Sequence, residues 1–272
     1  MHIDSFFSIS NSKFDDAEYV IFGVPYDATQ SFKPGSRFAP SAIREASWNL
    51  ETYSTYFDFD LDLAKVCDAG NVNCDGNFED IIRNMELFMA SLTTQFPIAL
   101  GGEHTISFAV TRNLKDCCYV VFDAHFDLRD EFDGTKFNHA CTTRRILEDG
   151  KEVVILGVRS GIKDEVEFAS RKVKWLYSWE YDVKEALKLV RDFDRIYLSL
   201  DMDVFDPSFA PGVSTPEPFG IAPIDFLRFV GSIADRLVGF DVVEVVPDSN
   251  RVTQMLAAKL VLEVIAARER NK

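Results

Sequence analysis

The sequence predicts an α/β protein built on a parallel sheet that is covered on both faces. Three observations carry this expectation. Short apolar runs rich in β-branched residues alternate with longer segments of helical period along the chain. The runs are apolar throughout rather than alternating, as strands buried on two sides are. The chain has 272 residues and 47% hydrophobic content, enough for one large core. No repeat, low-complexity tract or linker divides it, so residues 1–272 are expected to form a single domain.

In chain order, EYVIFGV (18–24) is the first strand and 40–47 the first helical pattern. AKVCDAG (64–70) leads to a helix over 77–94, and PIALGG (97–102) to one over 104–114. YVVFDA (119–124) is followed by 139–149, VVILGV (153–158) by 163–170, and VKWLYS (173–178) by 180–192. RIYLSLD (195–201) precedes a helix at 223–236, and VGFDVVEVV (238–246) one at 251–269. About eight strands fit either an open doubly wound sheet or a closed barrel. In both, functional groups collect at the carboxyl ends of the strands.

The formal charge is −15, from 44 acids against 29 bases. Such a field disfavours nucleic acid or an anionic membrane surface as partner and favours small cations. The five cysteines, Cys67, Cys74, Cys117, Cys118 and Cys141, include no C-x-x-C pair, which argues for a reducing cytoplasm over a disulfide framework. MHIDSFFSIS has an acid at position 4 and no basic-then-apolar pattern, so no secretory signal is expected. No apolar stretch approaches the roughly 20 residues that span a bilayer; the segment 255–266 is interrupted by Lys259 and Glu263.

Three strand ends carry candidate chemistry. PIAL ends in GGEH, with Glu103 and His104; YVVF ends in DAHFD, with Asp123, His125 and Asp127; RIYLSL ends in Asp201 and Asp203. Extended geometry through DAHFD would put 123, 125 and 127 on one face. An isolated D-x-D or GGEH is more often a cap or turn. All three in order, each on an apolar strand, point to one site. Four clustered carboxylates cannot all stay ionised without compensation, and two divalent cations would supply it. With His104 and His125 the donor set suits Mn²⁺, Fe²⁺, Co²⁺ or Zn²⁺ better than Ca²⁺ or Mg²⁺. Such a pair of ions activates water at neutral pH.

GGEH (101–104), DAHFDLR (123–129) and SLDMDVFDPSFAPG (199–212) resemble the three signature segments of the ureohydrolase family of arginases and agmatinases. FGVPYD (22–27), PGSRFAPSAIREAS (34–47) and DVVEVVPD (241–248) extend the resemblance over nearly the whole chain. The resemblance implies a three-layer α/β/α fold of the arginase/deacetylase-like kind with a parallel, about eight-stranded sheet. It implies two Mn²⁺ per subunit. His104, Asp123, Asp127 and Asp201 would hold one, and His125, Asp123, Asp201 and Asp203 the other. Glu103 would orient its neighbours. His139, in FNHACTTRRI, matches the family's proton-shuttling histidine, and Glu244 the carboxylate that holds the substrate guanidinium. The family's members assemble as trimers or hexamers, so a homo-oligomer is expected.

The implied reaction is hydrolysis of a guanidinium to urea and a primary amine, with Asp127 passing a proton to the leaving amine. Choice of guanidine rests on the loop LRDEFDGTKFN (128–138), which lacks the Asn, Ser and Thr pattern of arginases. Its acids, Asp130, Glu131 and Asp133, would welcome a distal ammonium. With STPEPFG (214–220) it looks most like agmatinases of the prokaryotic and archaeal type, with Asp130 and Glu217 as candidate tail contacts. Agmatine, giving urea and putrescine in polyamine biosynthesis, is the expected substrate. N1-aminopropylagmatine and arginine are the alternatives; Arg129 and Lys136 could serve an arginine carboxylate. A catalytically silent metal-binding protein or a binuclear phosphoesterase is the reading from another class.

Overall fold

The computed structural model describes residues 6–272; His2 and the start of the N-terminal segment lie outside them. The eight principal strands are β1 (Tyr19–Gly23), β4 (Val66–Asn71), β5 (Phe96–Leu100), β6 (Cys118–Phe122), β7 (Val153–Val158), β8 (Lys174–Tyr177), β9 (Ile196–Asp201) and β10 (Leu237–Val243). They form one open sheet in the order β4-β1-β5-β10-β9-β6-β7-β8, with every pairing parallel. The barrel alternative is thereby removed. A small antiparallel hairpin, β2 (Tyr53–Ser54) with β3 (Phe59–Asp60), stands apart.

Helices segregate into two outer layers. Residues of α1 (Ala39–Ser47), α6 (Val183–Val190), α7 (Pro223–Ile233) and α8 (Val252–Arg270) pack with Leu100, Val120, Leu198 and Val242 of the sheet. Those of α2 (Phe78–Ser91), α3 (Ile106–Thr111), α4 (Thr142–Glu148) and α5 (Lys163–Lys172) pack with Ala99, Val121, Ile155 and Tyr197 on the other face. Each fully buried aliphatic or aromatic side chain contributes roughly 1.5–3 kcal/mol. Phe122 anchors the first face, edge-on to Phe226 and Phe229 at 5.1 and 5.2 Å between centroids. No helix among the described residues is long and apolar enough to cross a membrane.

The register explains where the site forms. Leu100, Val242, Leu200 and Phe122 lie in one row across β5, β10, β9 and β6. The next residue on each strand is therefore Gly101, Val243, Asp201 and Asp123. Four central strands, drawn from distant parts of the chain, end together. This is where ligands bind in open parallel sheets.

Helix α3 is shorter than the pattern at 104–114 predicts, beginning at Ile106. The backbone N–H of His104 donates to the Glu244 carboxylate at 2.7 Å, so the first turn of the predicted helix is spent on the site.

Candidate metal centre

The strand-alternation expectation for DAHFD is not what brings its side chains together. Strand β6 stops at Phe122, and Asp127 has a left-handed backbone, φ +51°. The loop is pinned by the very carboxylates it presents. Asp123 accepts the His125 N–H at 2.6 Å, and Asp203 accepts the Ala124 N–H at 3.0 Å. On the neighbouring strand, Asp201 accepts the Asp203 N–H at 2.9 Å and shapes a tight 3-10 turn. Each pinning bond uses one oxygen and leaves the other free, and Asp123 Oδ1 faces His125 while it does so.

Carboxylate oxygens of the four aspartates converge on two imidazoles. His104 Nδ1 lies 3.1 Å from Asp123 Oδ2, 3.0 Å from Asp127 Oδ2 and 3.3 Å from Asp201 Oδ2. His125 Nδ1 lies 3.0 Å from Asp203 Oδ2 and 3.5 Å from Asp123 Oδ1. Donor atoms of His104, Asp123 and Asp127, and of Asp123, His125 and Asp203, each fall within 4.8 Å of one another. Asp123 thus belongs to both groups, one oxygen toward each.

The electrostatics suit cations. His104 Nδ1 and Asp123 Oδ2 are buried and make no hydrogen bond despite their proximity. Native interiors rarely leave such atoms unpaired. Burial together with the charge of Asp123 pushes Asp127 up to about 7. Burial and the charges of Asp203 and Asp123 drive Asp201 well above the carboxylate range. Burial presses on His104 in the opposite sense, yet Tyr119 and the surrounding carboxylates hold its pKa well above the ordinary value. Imidazole and carboxylate donors converging in this way fit divalent transition ions, which would neutralise the cluster in place of protons.

An outer ring holds these groups. His104 Nε2 meets the Tyr119 hydroxyl at 2.9 Å and Ser199 Oγ at 3.4 Å. Ser199 and Tyr197 donate to the buried Asp241 at 2.6 and 2.7 Å. Arg159 donates to the carbonyls of Asp203, Val204 and Phe205 and to that of Glu217, clamping the Asp203 turn to the 214–220 loop. Such partners orient ligands and raise their basicity.

Above the cluster is a cavity of about 230 Å³. His104, Asp127 and Asp201 lie on its floor, with Glu244, Glu217 and His139 on its walls. Glu244 is buried with φ +63°, and accepts from the His104 N–H, the Ser214 hydroxyl and the Gln30 amide. Burial raises its pKa against the pull of these donors. Glu217 stands 3.7 Å from His125 Nε2, an ion-pair distance. Burial lowers the pKa of His139, favouring the neutral ring at neutral pH. A larger cleft of about 660 Å³ lies by Cys118 and Arg195, at the opposite ends of the strands, away from these groups.

The charged residues of the 128–138 loop are placed differently from the sequence expectation. Asp130 does not line the cavity; its side chain is 60% exposed and pairs with Arg145 at 3.0 Å. Glu131 and Asp133 are exposed as well, because the loop turns outward over the arginines of α4. The loop residues that do line the cavity are Arg129 and Phe132, the guanidinium lying over the ring at 4.3 Å. Lys136 reaches toward Asp130, at 3.9 Å, and not the cavity. Conversely, Thr29, Gln30, Ser31, Arg159 and Asp241 contact the site without having been singled out. Asp241 alone had a readable signal, an acid inside an apolar strand.

Comparison with known proteins matches this arrangement. The model of the arginase family matches residues 17–267. The chain is 40% identical over 259 residues to an agmatinase of Pyrococcus horikoshii, covering 92% of each. It is 36% identical over 265 residues to the N(1)-aminopropylagmatine ureohydrolase of Thermococcus kodakarensis, covering 93% of this chain and 91% of that protein. The crystal structure of the agmatine ureohydrolase of Thermoplasma volcanium superposes with a TM-score of 0.93 at 37% identity, over 99% of this chain and 96% of that one. Fold, strand-end cluster and sequence agree: this chain belongs to the arginase family.

Proposed function

We propose that this chain, acting as one ureohydrolase unit, hydrolyses the guanidinium of agmatine to urea and putrescine. The observation that carries this reading is the buried Glu244 carboxylate facing a cavity floored by the two His/Asp groups. His104, Asp123, Asp127 and Asp201 would hold one divalent ion, and His125, Asp123, Asp201 and Asp203 a second, with Mn²⁺ proposed for both. When bound, such ions lower the pKa of a water enough for it to attack at neutral pH.

The protein's own residues do the rest. Glu244 takes the guanidinium by charge-assisted hydrogen bonds and sets its carbon over the floor of the cavity. Proton accounting assigns the remaining roles. The nitrogen that leaves carries one hydrogen in the substrate and three in the product ammonium, so it gains two protons, matching the two that the attacking water loses. Asp127, on the cavity floor, accepts the first from the water and delivers it as the C–N bond breaks. His139, on the cavity wall and within 3.4 Å of the exposed Ser31 hydroxyl, exchanges the second with solvent. Glu217 supports His125 and faces the substrate tail.

An agmatine tail suits the carboxylate-rich cavity, and the Pyrococcus and Thermoplasma relatives are named for that substrate. The longer N1-aminopropylagmatine is the second reading, favoured by the Thermococcus relative. Urea release from agmatine, N1-aminopropylagmatine, arginine and guanidinobutyrate, after loading with Mn²⁺, separates them. Agmatine is expected to give the highest kcat/KM. A preference for the aminopropyl compound would lengthen the pocket, and a preference for arginine would make Arg129 the residue that selects substrate. The chain is further proposed to act in the cytoplasm as a trimer or hexamer, which light scattering checks.

A further inference from the structure

Thr29 lies in the loop between β1 and α1, and its hydroxyl is within hydrogen-bond reach of three groups. Its oxygen is 2.6 Å from Glu103 Oε1, 3.0 Å from the backbone nitrogen of His139 and 3.2 Å from His139 Nδ1. A hydroxyl has one proton to give and two lone pairs to receive with. The backbone N–H of His139 can only donate, so it takes one lone pair. Glu103 is fully buried, and three donors converge on it: the Thr29 N–H at 2.7 Å, the Thr29 hydroxyl and the Thr105 hydroxyl. Burial raises the pKa of Glu103 and these three donors oppose it; with the Thr29 N–H on one oxygen and two hydroxyls on the other, the carboxylate accepts and the Thr29 proton points at Glu103. One lone pair is left for His139 Nδ1, and that nitrogen must then carry hydrogen.

From this bonding we infer that Thr29, anchored by Glu103, is a positioning residue that fixes His139 in the tautomer with hydrogen on Nδ1 and the lone pair on Nε2. Nε2 is the nitrogen beside Ser31 at the cavity mouth. The ring can then accept a proton on Nε2 and release it without breaking the bond to Thr29. The opposite tautomer would leave two acceptors facing each other across the Thr29–Nδ1 contact. The inference rests on the proposed shuttle role of His139 for its consequence, but not for the tautomer itself.

The test uses ¹⁵N-histidine-labelled protein loaded with Zn²⁺, which is diamagnetic, at a pH where His139 is neutral. The chain has four histidines, so a His139→Asn sample assigns the signal by difference. In the wild type, Nδ1 is expected to resonate as a protonated and Nε2 as an unprotonated ring nitrogen. Hydrogen on Nε2 would overturn the inference without any Thr29 variant. In Thr29→Val the preference should be lost and kcat should fall about tenfold with KM little changed, a fraction of what acid–base groups supply. Thr29→Ser, which keeps the hydroxyl, should restore both. A valine variant with the wild-type tautomer would overturn the role of Thr29. A changed tautomer with unchanged kcat would uphold the inference and remove His139 from the proposed reaction.

Discussion

Glu244 meets several demands with one side chain. It is buried, it sits at φ +63°, and three donors already face its two oxygens. A left-handed backbone at such a residue costs about 1–3 kcal/mol and persists where the surroundings over-determine it, often at functional sites. A carboxylate has about four lone-pair sites, so a guanidinium takes the remaining one and displaces the Gln30 amide from another. Glu244→Gln keeps the shape and removes the charge. Its kcat/KM is expected to fall about a hundredfold, the lower part of the range for breaking a buried charged pair. Metal content should stay as in the wild type. Steady-state kinetics with metal analysis check this, and an unchanged kcat/KM would release Glu244 from guanidinium binding. Glu244 was legible through the resemblance of DVVEVVPD (241–248) to a family segment. Thr29, Gln30 and Ser31 were not. A polar triplet in a loop has no period, and its partners Glu103, Glu244 and His139 stand 74, 214 and 108 residues away.

At the scale of elements, the strands were readable because they are buried on both faces, so their apolar runs need no partner to be recognised. Loops were less readable. DAHFD was expected to converge by strand alternation, yet its side chains meet through hydrogen bonds that the loop's own backbone N–H groups donate to Asp123 and Asp203. Asp130 was expected in the cavity, but Arg145 of α4 draws it outward. Helix α1 shows the same kind of long-range pairing in a structural role. Its Arg44 is buried and reaches β4, with Nε 2.7 Å and Nη2 2.8 Å from the two oxygens of Asp68. It also donates to Asn71 and to the Gly70 carbonyl. Arg44→Met fills similar volume but leaves Asp68 buried and without its partner. Loss of one partner of a buried pair costs roughly 3–5 kcal/mol. Chemical denaturation should show a midpoint lowered accordingly, and an unchanged midpoint would mean that water reaches Asp68 in the variant.

For the whole molecule, the active cluster and the stability of the fold are linked through protons. Asp127 is pushed up to about 7, Asp201 is raised, and both His104 and His125 are raised well above the ordinary imidazole value. In each case the folded, metal-free protein binds protons that the unfolded chain has released. Stability then falls as pH rises, because the unfolded state binds fewer protons than the native one. The carboxylates contribute this slope from their unfolded value of 3.8 upward, and the imidazoles from 6.5 upward. Asp123 is lowered and acts in the opposite sense, but only below its unfolded value of 3.8, outside this window; His139 is lowered too and offsets part of the slope below 6.5, one group against the four that are raised. Chelator-treated protein is therefore expected to lose thermal stability between about pH 4 and pH 8. Divalent metal replaces the protons, and its stabilisation grows as fewer must be displaced. The rise in Tm on adding Mn²⁺ should be larger at pH 8 than at pH 5. Scanning calorimetry at both pH values, with and without chelator, measures it. A metal-induced rise that is the same at both would mean that the strand-end carboxylates and imidazoles are not the groups that hold the ions.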